Sequence, residues 1–62
     1  MNIQTIGELR RLAERKGLTI ERDDSGRLVV ANHPLAIPEN ATSETERRMA
    51  ATEFLRNMPN QL

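Results

Sequence analysis

The chain has 62 residues, nine basic and nine acidic side chains, no cysteine and a single aromatic, Phe54. A chain this short makes one domain at most and buries only about 60% of the surface its unfolded form exposes, so a partner or a second copy is the expected reinforcement once disulfides are ruled out. The balanced charge excludes a global positive field of the kind that drives nucleic-acid binding, and no apolar run approaches the roughly 20 residues of a membrane span.

Neither half departs far from neutrality: residues 1–31 hold six basic and five acidic side chains, and residues 32–62 hold three and four. The first residues lack a basic segment followed by an apolar one, so no signal peptide is expected and the cytoplasm is the default location. The pattern as a whole predicts one α+β domain over residues 1–62, with two layers in the order α-β-β-α.

The first element is a helix over about residues 6–16. Thr5 is a good N-cap and Glu8 stands three residues later, which predicts a capping box. Ile6, Leu9, Leu12 and Ala13 recur at three- and four-residue spacing and form one apolar stripe. Arg15 and Lys16 suit the negative end of the helix, and Gly17 supplies the left-handed residue that ends many helices.

A hairpin follows over about residues 18–31. Side-chain parity chooses its loop. A two-residue loop on Asp24-Ser25 would set Ile20 opposite Val29 and turn Leu28 and Val30 away from Leu18 and Ile20. A three-residue loop on Asp24-Ser25-Gly26 pairs Ile20 with Val30 and puts Leu18, Ile20, Leu28 and Val30 on one face, with Gly26 left-handed. That register leaves Val29 on the outer face beside Thr19, Glu21 and Arg27.

Residues 32–42 read as a loop punctuated by Pro34 and Pro38. Leu35-Ala36-Ile37 is apolar enough to lie along the core or to form a short third strand near residues 35–37, confined by the prolines to an edge. The second helix is expected over about residues 44–57, capped by Ser43 with Glu46 and stopped by Pro59. Its apolar face is Ala50, Ala51, Phe54, Leu55 and Met58, with Arg47, Arg48 and Glu53 outside. Residues 59–62 read as a frayed tail.

Chemistry finds little support. His33 is the lone histidine, and a general base or ligand needs partners that its Asn32 and Pro34 neighbours do not suggest. Glu21, Asp23 and Asp24 lack the spacing of a calcium loop and read as a solvated hairpin tip. Ser25 sits at a hairpin turn, where serine is favoured for backbone reasons, and not in a nucleophile elbow. The expectation is no catalytic site, no metal and no cofactor.

Two surface features point to interaction. Arg10, Arg11 and Arg15 crowd the first helix, with Arg47 and Arg48 near the start of the second, and like charges one turn apart disfavour each other unless something uses them. Val29, Met49 and Leu62 have no obvious place on the inner faces, the remote end of the second helix adds Met58, and methionine adapts readily at binding surfaces. The candidate surface is therefore Arg10, Arg11, Arg15, Val29, Arg47, Arg48, Met49 and Met58. The reading is a non-enzymatic module of bacterial or phage type, a homodimer that regulates or inhibits a larger protein by docking. A nucleic-acid regulator using the arginine face is the disfavoured alternative, since no aromatic accompanies it for base stacking.

The order of elements resembles that of the HicA-type toxins, whose double-stranded-RNA-binding-like sheet packs on two helices. That family carries a Gly-Ser-His motif on the hairpin, and the stretch here is Asp24-Ser25-Gly26-Arg27 with no histidine. The departure removes the catalytic argument, and likeness of fold alone transmits no function.

Overall fold

The computed structural model describes residues 5–61. Among them the elements are α1 (Ile6–Arg15), β1 (Ile20–Arg22), β2 (Leu28–Val30) and α2 (Glu44–Arg56). The two strands pair antiparallel, and both helices pack against them to make a small α+β fold.

Side-chain hydroxyls start both helices. Thr5 Oγ1 accepts the Glu8 N–H at 3.2 Å, and the Thr5 hydroxyl in turn lies 3.2 Å from the Glu8 carboxylate. The Glu8 carboxylate thus meets the cap's side chain, and the reciprocal backbone bond of a full capping box is not made there. At α2 the box is complete: Ser43 Oγ accepts from Glu46 N, and Glu46 Oε1 accepts from Ser43 N, both at 3.1 Å.

Helix α1 ends in a Schellman turn. Gly17 adopts φ +76°, its N–H bonds Glu14 O, and the Leu18 N–H reaches back to Ala13 O at 2.8 Å. These bonds satisfy carbonyls that a helix end otherwise leaves open. The end of α2 meets the end of α1. Gln61 N donates to Arg15 O at 2.7 Å, and Lys16 Nζ donates to Met58 O at 2.7 Å. Residues 59–61 are therefore tied across the end of α1 instead of fraying, and Lys16 places its charge where the negative ends of two helices converge. Leu62 lies outside the described residues.

The hairpin has the register that parity demands: Ile20 opposite Val30, Glu21 opposite Val29, Arg22 opposite Leu28. Asp23 N bonds Arg27 O, Gly26 N bonds Asp23 O, and Gly26 takes φ +80°. No atom would crowd a Cβ at Gly26, so glycine is favoured there by the left-handed backbone alone. The Asp23 carboxylate fastens the turn by accepting the N–H groups of Ser25 and Arg27, each at 2.9 Å.

Segment 31–41 forms no third strand. It is a run of turns in which Asn32 is left-handed at φ +65°, Ala36 N bonds His33 O and Ala41 N bonds Pro38 O. Two prolines without N–H groups leave too few donors for a ladder, and the turns satisfy what remains. Ala36, Ile37 and Ala41 drop into the core with Leu9, Ala13, Ile20, Leu28, Val30, Ala51 and Leu55. Ile6, Leu12, Leu18, Ala50, Phe54 and Met58 pack around that core, half-buried.

Three carboxylates are held below their ordinary range. Asp23 is lowered first by the Arg27 N–H, Glu44 by its hydrogen bonds with Arg22, and Glu46 by the Ser43 N–H. A folded pKa below the unfolded one gives stability that is complete above the unfolded value and is lost as pH falls through the folded one. Urea midpoints should be level at neutral pH and fall on acidification below the ordinary Glu value of 4.5. Glu44→Gln should shallow that acid slope, and an unchanged slope would show that the Arg22 pair contributes nothing to it.

Candidate functional site

Arg47 sits in the first turns of α2, and its spacing to Ala51 and Leu55 puts it on the helix's inward stripe. It is only 5% exposed, contrary to its expected place on an outer arginine face. Its Nε donates to Leu28 O and its Nη1 to Ala41 O, both at 2.9 Å. One side chain thereby joins β2, the end of segment 31–41 and α2. The charge is compensated at a distance, because Arg47 contributes to the lowering of both Asp23 and Glu44.

Pairing geometry shows what the Leu28 carbonyl is. Ala31 N bonds Thr19 O and Asp23 N bonds Arg27 O, so Ile20–Val30 and Arg22–Leu28 are the non-hydrogen-bonded pairs of the ladder. Backbone groups of Leu28 and Val30 therefore point away from β1, along the outer edge of β2. Arg47 occupies the Leu28 carbonyl at that edge, and the His33 N–H occupies the Val30 carbonyl at 3.1 Å.

A groove of about 360 Å³ opens beside this edge. Its walls include Val29 and Val30, Pro34 and Ile37 from the turn segment, the carboxylates Glu21, Asp23 and Glu39, and Arg47. Asp23 is engaged there by Arg27, whose Nε lies 3.5 Å from Asp23 Oδ2. A second hollow of about 280 Å³ lies along α1 and β1, lined by Arg10, Glu14, Leu18, Thr19 and Ile20.

The expected surface residues do not form one patch. Arg10, Arg11 and Arg15 are exposed on α1, Arg47 is in the interior, and Arg48 is half-buried. Met49 is 62% exposed, Val29 is half-buried in the groove wall, and Met58 packs against the core. Leu35, expected to follow the core, instead stands 93% exposed immediately before the buried Ala36 and Ile37. The signal for Arg47 was its position four residues before Ala51; charge outweighed spacing in placing it outside. Leu35 had no comparable signal, because only the turn geometry decides which of three consecutive apolar residues faces out.

His33 has a structural place. Its ring meets Phe54 edge-on with centroids 5.7 Å apart, and its Nδ1 lies 3.2 Å from Ala31 O. Among the described residues no three His, Cys, Asp or Glu side chains gather as a metal set, and no helix is long and apolar enough to cross a membrane. Comparison with protein-family models, with curated proteins and with solved structures finds no match for this chain.

Removing one partner of a buried polar contact leaves the others unsolvated. Arg47→Ala strips the Leu28 and Ala41 carbonyls together and empties the stem's volume, and should cost about 3 kcal/mol or more. In a chain of this size that is most of the expected stability. Thermal or urea unfolding of Arg47→Ala beside Arg48→Ala checks it, and equal small losses in both would contradict the structural role of Arg47.

Proposed function

We propose that this chain is a non-enzymatic docking module that acts on a larger protein, with Leu35 as its apolar anchor. The observation that carries the reading is a large apolar side chain held out in water on a stiff support. Ala36 and Ile37 are buried just beyond it, Pro34 precedes it, and the His33–Ala36 and Pro38–Ala41 turns fix the backbone. A single exposed aliphatic is ordinary in itself. One presented on a rigid turn loses little conformational freedom when a partner pocket closes over it, which is where affinity is gained. Met49 adds a second exposed and adaptable apolar side chain on α2.

Self-association fits the same economy of surface. The edge of β2 has its carbonyls occupied by Arg47 and His33, which leaves β1 as the strand edge suited to pairing with a second copy. In this reading the protein is a homodimer of bacterial or phage type acting in the cytoplasm. The nucleic-acid alternative rests on Arg10, Arg11 and Arg15 alone, since Arg47 is committed to the interior.

The test is an affinity capture from bacterial lysate with and without nuclease, using the wild type and Leu35→Asp. A discrete protein retained after nuclease and lost with Leu35→Asp is the expected result. Capture that disappears on nuclease treatment would transfer the function to the α1 arginines and to phosphate contacts, with steep salt dependence. A mass measurement in dilute solution addresses the dimer separately: a folded 7.0 kDa monomer at micromolar concentration would end that part.

A further inference from the structure

The buried arginine has donors to spare. A guanidinium carries five N–H groups. Among the described residues Arg47 spends one on Leu28 O and one on Ala41 O. Nη2 keeps both of its hydrogens, and the groove beside β2 is lined by this side chain. A second donor lies on the same edge of β2. The Val30 N–H points to the same outer edge as the Leu28 carbonyl that Arg47 holds, because residues two apart in a strand direct these groups to one side. Val30 also lines the groove.

The charges around these donors select the ligand. Arg47 is the cation of the interior, while Arg27 is engaged with Asp23 at the groove's side. Glu21 and Glu39, both exposed, complete the lining and face no cation in that pairing. A dianion such as phosphate would meet the two donors but also face Glu21 and Glu39. A lone cation would meet Arg47. The complementary ligand carries one of each, with its anion inward and its cation at the carboxylates, and Val29, Pro34 and Ile37 give it apolar walls.

We propose that the groove beside β2 binds a peptide segment in which a carboxylate lies next to a basic side chain, the carboxylate spanning Arg47 Nη2 and the Val30 N–H and the basic group meeting Glu21 and Glu39. This rests on the docking reading and gives the chemistry of the partner at a site other than Leu35. A carboxylate has one oxygen for each of the two donors, and a charge-assisted bond to a guanidinium is stronger than a neutral one.

The experiment is an NMR titration of the intact chain with N-acetyl-lysyl-aspartyl amide, following the Arg47 Nε–H and the Val30 amide. N-acetyl-lysyl-asparaginyl amide, N-acetyl-alanyl-aspartyl amide and inorganic phosphate are titrated alongside. The expected result is saturable movement of both signals with the lysyl-aspartyl probe, weakened about tenfold or more without the carboxylate and severalfold without the lysine. Glu39→Gln, a substitution at an exposed loop position, should weaken the lysyl-aspartyl probe severalfold and leave the alanyl-aspartyl probe unchanged. No movement at millimolar probe, equal response to all the peptides, or tighter binding of phosphate would overturn the proposal. The readout does not involve Leu35, so a failed capture with Leu35→Asp and a failed titration are separate outcomes.

Discussion

A guanidinium taken out of water has to be resolvated by the protein itself, and three elements of this fold are arranged around doing so. Arg47 reaches the edge of β2 through Leu28 O and the end of the turn segment through Ala41 O, while standing on the inward stripe of α2. Its aliphatic stem is buried with it, in a chain whose inward positions include several alanines. A methionine there would pack but leave two carbonyls unpaired. A lysine would bring the charge on one nitrogen, without a fork that reaches both carbonyls at once. The counter-charges are carboxylates at the hairpin turn and the α2 start, Asp23 and Glu44, each also fixed by its own hydrogen bonds. The hairpin turn, the helix start and the buried charge are thus one electrostatic unit.

Most of the fold was legible because local rules and the global pattern agreed. Parity chose the three-residue hairpin loop over the two-residue one, since only the former puts Ile20, Leu28 and Val30 on one face, and the left-handed Gly26 follows from it. The Ser43–Glu46 box and the Gly17 turn are short-range chemistry that needs no tertiary information. What escaped the sequence is what depends on a distant acceptor. Arg47 is inside only because two carbonyls from other elements are waiting for it. The chain end is held because Arg15 O is open at the terminus of α1 and Gln61 lies within reach. Leu35 faces out because the His33–Ala36 turn assigns the inward directions to its neighbours. Spacing places Arg47 on the inward stripe of α2 but does not show the acceptors that keep its charge there, and the other two have no signature in spacing at all.

The same facts change the balance between the candidate surfaces. Five clustered arginines make a credible phosphate-binding face; three on α1, with Arg47 in the core and Arg48 half-buried, make a much smaller one. Affinity for a polyanion grows with the number of phosphates neutralised and counterions released, so a smaller face binds more weakly as well as over less area. The apolar side of the comparison moves the other way. Met58 withdraws from the surface to the core margin, but Leu35 joins the surface and is more exposed than Met49.

In the proposed complex, stability and recognition would converge at Arg47. A ligand that meets the spare donors of Arg47 requires the folded arrangement of β2, the turn segment and α2, because the site is assembled from all three. Such a ligand binds the native state and not the unfolded chain, and raises stability by mass action. For a domain of 62 residues without cysteine, an increment of that kind is large against what its own core supplies. Docking in the groove and consolidation of the fold are then a single equilibrium. In the proposed complex the partially used guanidinium would couple the two, supporting the fold with two of its donors and meeting the ligand through Nη2.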